Sequence, residues 1–125
     1  MRLVVPRLGL LGALLLLVSG CGEGQRSAHE IAGADAERGR RLVASYACGV
    51  CHVVPGVAGA HGTVGPSLEG FAGRSYLAGR VPNEPTELVR WLADPPAIDP
   101  ETAMPSVGLG GAETRDVAAY LYTLR

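Results

Sequence analysis

Cys48-Gly49-Val50-Cys51-His52 gathers, within five positions, three side chains able to bond a metal or a carbon electrophile. Two thiols three positions apart can each add to one vinyl group of a haem, and the histidine that follows then falls under the iron as its imidazole ligand. Thioether bonds keep the prosthetic group from escaping into a dilute, oxidising compartment. A structural zinc site would need four ligands; only His61 could join these three in the mature domain, and Cys51 and His52, being adjacent, suit one tetrahedron poorly. A thioredoxin-like dithiol would need a preceding strand in a βαβ context, which the sequence lacks. A Cys48–Cys51 disulfide would leave the loops without a core. The spacing therefore points to one covalently bound haem c.

An electron-carrying iron needs a second axial ligand opposite His52. Apart from Met1, the chain has one methionine, Met104, in the polar run Thr102-Ala103-Met104-Pro105, where proline stiffens the loop that presents the thioether. His61, in a Gly-rich loop close to the attachment residues, is the rival. A soft, neutral sulfur opposite an imidazole favours ferrous iron and places the couple at the high-potential end of a chain.

The elements that must position these residues are helical. Asp35 is the expected N-cap, and Leu42, Val43 and Tyr46 recur at helical spacing just before Cys48. Val53 to Gly73 is rich in Gly and reads as ordered loop. A second helix opens near Pro85, carries Leu88, Trp91 and Leu92 on one face, and stops at Pro95-Pro96. Ala97 to Gly111 is loop again. The last helix, over Ala112 to Leu124, carries Val117, Tyr120, Leu121 and Leu124 on one stripe and Glu113, Arg115 and Asp116 off it. The expectation is an all-α fold, three main helices and long loops wrapped around a central group. Aromatics are only 5% of the 125 residues, so a large apolar prosthetic group would supply much of the core.

Residues 1–20 read as a signal peptide: Arg2 and Arg7 form a basic start, Leu8 to Val18 an apolar run, and Ser19-Gly20 a small-residue cleavage site. The apolar run is too short for a membrane span, which takes about 20 residues. Val18-Ser19-Gly20-Cys21 resembles the lipobox of bacterial lipoproteins, in which the cysteine becomes an acylated first residue; two or three acyl chains would anchor the protein stably. Residues 21–34 then form a flexible tether with a reach of roughly 20 Å and an extended limit of about 45 Å, in which His29 is a solvated linker residue. Residues 35–125 form the domain. Removal of Arg2 and Arg7 leaves nine basic residues, all arginine, against twelve acidic ones. That mild acidity argues against nucleic acid as a partner.

From about Asp35 to Leu124 the chain resembles the monohaem, Met/His cytochrome c family. The matching pieces are Gly39 through Leu42, Cys48 to His52, Gly65-Pro66-Ser67-Leu68, Gly73-Arg74, Met104-Pro105 and Tyr120-Leu121. The runs Pro82-Asn83-Glu84-Pro85, Leu88-Val89-Arg90-Trp91-Leu92 and Ala103-Met104-Pro105 are further similar to the cytochrome c domain fused to subunit II of bacterial haem-copper oxidases, although no copper-binding domain or pair of membrane spans accompanies them. The resemblance implies the cytochrome c fold and a set of roles. Cys48, Cys51 and His52 attach the haem, and His52 and Met104 ligate the iron. The Pro66 carbonyl holds the free ring N–H of His52, which makes the imidazole a better donor. Arg74 neutralises a haem propionate, with Tyr76 and Trp91 as further donors. Gly39 admits Tyr120 where the first and last helices cross.

These expectations describe an exported electron carrier, lipid-anchored at Cys21 on the periplasmic side or outer face of a bacterial membrane. It would take electrons from a quinol-oxidising complex and pass them to a terminal oxidase, with no small-molecule substrate. The alternative is a haem relay subunit of an oxidase, reductase or dehydrogenase complex; a third class, a catalytic or gas-sensing haem, would require a labile sixth position. With no lysine, Arg74, Arg80 and Arg90 are the only nearby cations to name, so the docking face should be weakly charged or apolar.

Overall fold

Asp35 starts the first helix: its side chain accepts a hydrogen bond from the Arg38 N–H at 2.8 Å, satisfying one of the donors a helix start leaves free. The computed structural model describes residues 29–125; the leader, Cys21 and the tether as far as Ala28 lie outside the described residues. Helix α1 runs Ala36–Ser45, α2 Pro85–Ala93, α3 Pro95–Ile98 and α4 Gly111–Leu121. Single 3-10 turns cover Cys48–Val50 and Phe71–Gly73, and two-residue strands β1 (Tyr76–Leu77) and β2 (Val81–Pro82) pair antiparallel. Among the described residues no helix is long and apolar enough to cross a membrane.

Helix α4 is the hub, packing along α1 and against α2. Its stripe of Val117, Tyr120 and Leu121, continued by Leu124, is buried with Val43 of α1 and Leu88, Trp91 and Leu92 of α2. At the α1–α4 crossing Gly39 lies so close to α4 that a Cβ there would collide with the Asp116 carbonyl and touch the Tyr120 side chain. Glycine is needed at that point because the two backbones meet.

Asp116 departs from the expected polar face of α4. Its side chain is 2% exposed, and its carboxylate accepts from Arg38 Nε at 2.5 Å, Arg38 Nη2 at 2.9 Å and the Asp35 N–H at 2.8 Å. The close approach at Gly39 turns Asp116 toward the neighbouring helix, and the arginine beside it makes burial tolerable. Glu113 bridges the same two helices, accepting from the Tyr46 hydroxyl and the Gly110 N–H, each at 2.9 Å.

Three further differences from the sequence reading have local causes. Pro95-Pro96 does stop α2 but also opens α3, because proline's fixed φ suits a first helical turn. The β1–β2 ribbon turns through Ala78 and Gly79, both at positive φ, with the Arg80 N–H bonded to the Leu77 carbonyl at 2.9 Å. His29 is not a solvated linker residue: its ring stacks on Tyr122 with centroids 4.2 Å apart and planes 1° from parallel, and Ile31 packs against the core. Packing therefore begins ahead of Asp35.

Candidate functional site

After Ser45 the chain leaves helical geometry at Ala47, which takes a left-handed φ of 56°, and the attachment residues follow in a tight turn. The Cys51 and His52 N–H groups both bond the Cys48 carbonyl, at 3.2 and 3.0 Å. Cys48 and Cys51 are free, half-buried thiols, and burial pushes the Cys48 thiol up. The following loop is laced back onto this turn by its backbone. The Gly62 N–H reaches the Gly49 carbonyl (3.0 Å), the Gly65 N–H the Cys51 carbonyl (2.8 Å) and the Leu68 N–H the Val53 carbonyl (2.8 Å), with a bridge between Val53 and His61. Glycines make this closeness possible: a Cβ at Gly49 would run into Ala60, one at Gly62 into the Val50 carbonyl, and one at Gly65 into the His52 ring.

His52 is held on two sides. Its Nδ1–H donates to the Pro66 carbonyl at 2.7 Å, and Gly65 lies against the ring. With Nδ1 so engaged, Nε2 carries the lone pair available to a metal. Met104 is half-buried against the core. Its loop is pinned by the Met104 N–H on Thr102 Oγ1 (3.2 Å), the Thr102 N–H on the Asp99 carbonyl (3.0 Å) and the Ser106 hydroxyl on Asp94 at the end of α2 (2.7 Å). His61, the rival ligand, is exposed.

The remaining expected residues are more scattered. Arg74 is half-buried; its Nη2 donates to the Ser67 carbonyl and, at 3.3 Å, to that of Glu69, and its guanidinium lies over the Phe71 ring at 5.6 Å. Tyr76 is exposed on β1, and Trp91 is buried in the core. Sequence reading quoted Asn83 only within the Pro82-Asn83-Glu84-Pro85 run and gave it no role, and it passed over Tyr122. Asn83, buried between β2 and α2, donates to the Phe71 and Arg74 carbonyls at 3.1 and 3.0 Å and accepts from the Tyr122 hydroxyl at 3.1 Å. Burial, with Glu84 adding to it, pushes that hydroxyl up to about 12. The available signal was an asparagine between two prolines, where a polar side chain with no turn to make must find other partners.

Two half-buried thiols three positions apart, an oriented imidazole with one free nitrogen and a pinned thioether suit a covalent haem in their chemistry. Partly buried Leu68, Val81, Met104 and Leu109, together with exposed Val107, are apolar surface available to such a group. Among the described residues no three or more His, Cys, Asp or Glu side chains are gathered to hold a bare metal ion.

A helical fold that spends so many residues on loops around an attachment turn of this kind fits a protein built around a covalent haem. The chain belongs to the cytochrome c family, whose sequence profile, described as Cytochrome c, matches residues 36–125. Its all-α fold is the cytochrome c fold, and the family's work is electron transfer through haem rather than substrate turnover. Cytochrome c oxidase subunit 2 of Alkalihalophilus pseudofirmus is 29% identical over 91 residues, 72% of this chain and 26% of that protein. The chain thus spans about a quarter of the length of the curated relative it matches.

Proposed function

We propose that the chain is a membrane-tethered carrier that passes single electrons along a respiratory chain, from a quinol-oxidising complex to a terminal oxidase. In this reading residues 1–20 are a lipoprotein signal peptide, Cys21 carries the acyl anchor on the periplasmic side or outer face of the membrane, residues 21–34 lead away from it, and residues 35–125 form the carrier domain. Cys48 and Cys51 would hold one haem c through thioether bonds, and His52 and Met104 would ligate its iron. When bound, the haem supplies a reversible one-electron iron couple. The observation that carries the reading is the His52 ring, fixed by its Nδ1–H on the Pro66 carbonyl at 2.7 Å so that Nε2 alone is free to ligate.

The protein's part is to orient, shield and dock. Pro66 and Gly65 set the ring's direction, and the Thr102 and Ser106 contacts pin the loop from which Met104 would supply the second iron ligand. Arg74, with Tyr76 and Trp91 as additional donors, is assigned to the propionates, whose charge would otherwise be costly to bury. The docking face is nearly neutral: Arg80 is spoken for by Asp99 at 3.2 Å and Arg90 by Glu87 at 2.8 Å, while Val50, Val64 and Tyr76 are exposed. Turnover with the oxidase should therefore vary little with ionic strength; a steep fall as salt is raised would count against this face.

The test is an optical and redox titration of the membrane-extracted protein and its Met104→Ala variant. The parent should show a low-spin His/Met spectrum with the weak sulfur-to-iron charge-transfer band, and the variant should keep its haem, drop in potential and admit carbon monoxide. An unchanged variant would move the assignment to His61, and a colourless protein from a haem-ligating host would end the reading. A relay subunit within an oxidase complex is the second reading, favoured by the relative being an oxidase subunit. Stable co-purification with oxidase subunits after detergent extraction would select it.

A further inference from the structure

Asn83 is 5% exposed and uses every hydrogen-bonding group of its side chain. Two of the partners are the carbonyls of Phe71 and Arg74, which can only accept, so the amide nitrogen must face them and the amide oxygen must face the Tyr122 hydroxyl. Its own N–H reaches the Ser75 carbonyl at 3.0 Å. One planar group thus joins the Phe71–Gly73 turn, the start of α2 and the end of α4. No other side chain of that length carries two donors and an acceptor in one plane.

What Asn83 holds leads back to His52. Its bond to the Arg74 carbonyl fixes the backbone from which the Arg74 guanidinium turns back to the Ser67 carbonyl, and Ser67 follows Pro66, the residue that receives the His52 Nδ1–H. Between these ends the segment is tied by the Leu68 N–H to Val53, by the Ala72 N–H to Leu124 (2.9 Å) and by the buried Phe71 side chain, none of which bears directly on Ser67 or Pro66. We propose that Asn83 is a positioning residue for the axial imidazole: through Arg74 and Ser67 it sets where the Pro66 carbonyl stands, and so how strongly His52 donates to iron. The proposal rests on His52 being an axial ligand. Release of the Asn83 amide lets the 66–74 segment relax, lengthens the His52–Pro66 bond, makes the imidazole a poorer donor and raises the reduction potential.

The experiment uses the haem-loaded protein and two variants, Asn83→Leu, which removes all three side-chain bonds at similar size, and Tyr122→Phe, which leaves both amide donors in place and removes one hydroxyl. Midpoint potential, the sulfur-to-iron band and thermal stability are measured together. Asn83→Leu should raise the potential, so that at fixed ambient potential the reduced-to-oxidised ratio increases several-fold, with the sulfur-to-iron band retained; Tyr122→Phe should move it the same way by less. Potentials equal to the parent's, with only the melting temperature lowered, would reduce Asn83 to a structural clamp and overturn the proposal. If Asn83→Leu takes up no haem, Tyr122→Phe decides alone, and an unmoved potential there overturns the proposal. A parent without a His/Met spectrum would instead sink the ligand assignment, and the positioning role with it.

Discussion

The α1–α4 crossing and the loop from Ala47 to Arg74 are both tightly held, but by different means. At the crossing, side chains do the holding: the Asp116 carboxylate on Arg38, Glu113 on Tyr46, and a bare Gly39 where α1 meets α4. In the loop, main-chain N–H groups hold carbonyls, and glycines allow the strands of chain to touch. A scaffold built from side chains announces itself in helical spacing. A site built from backbone leaves only glycines and a proline to mark it.

That contrast can be broken at either end, and the largest effect should come from Gly39→Val. A side chain there displaces α4, and unfolding stability of the haem-loaded protein should fall by about 3 kcal/mol in urea titration. Gly65→Ala should behave in the opposite manner, since its methyl strikes the His52 ring and leaves α1 and α4 alone. Haem content and the low-spin spectrum should suffer while helical circular dichroism stays near the parent's. Equal helix loss in the two variants would mean that the regions are not separate.

A smaller effect tests the charged clamp. The Arg38 guanidinium bonded to Asp116 holds that carboxyl below the usual carboxylate range, against the opposing pull of burial. A carboxyl with a lowered folded-state pKa lends stability above its unfolded value of about 3.9 and loses it as pH falls through the folded one. The parent should thus weaken on acidification below about pH 4, and Asp116→Asn should weaken less steeply over that window in thermal melts. Smallest of all, His29→Ala should cost under about 1 kcal/mol, because one stacked ring pair is lost at the edge of the fold. Loss of ordered amide signals for residues 29–34 with little change in melting temperature is the expected nuclear magnetic resonance result.

The helices were legible because their apolar residues recur at helical spacing and their ends carry Asp35, Pro85 and paired prolines. Leu88, Trp91 and Leu92 are buried as the spacing requires, and Gly39 meets α4 where the family resemblance puts it. Asp116 was misplaced because periodicity counts a carboxylate as polar whatever stands beside it; Arg38, at a sequence distance of 78, is what permits its burial. The β1–β2 ribbon was invisible because two residues per strand show no alternation, and its turn sets an alanine at positive φ before Gly79, where asparagine, aspartate or glycine is the usual sign. At the site, the attachment residues and Met104 stood out by type, whereas Asn83 did not: its role comes from three partners that only the fold brings to it.

The stack of His29 on Tyr122 changes the geometry of any mooring. If the line runs from an acylated Cys21, it is made fast at residue 29 and not at residue 35, which leaves eight residues and at most about 28 Å of slack. It also departs from a fixed spot beside the end of α4. A short line cast off from one place limits how far the domain can roll, so such a protein would present some faces to its neighbours in the bilayer far more often than others.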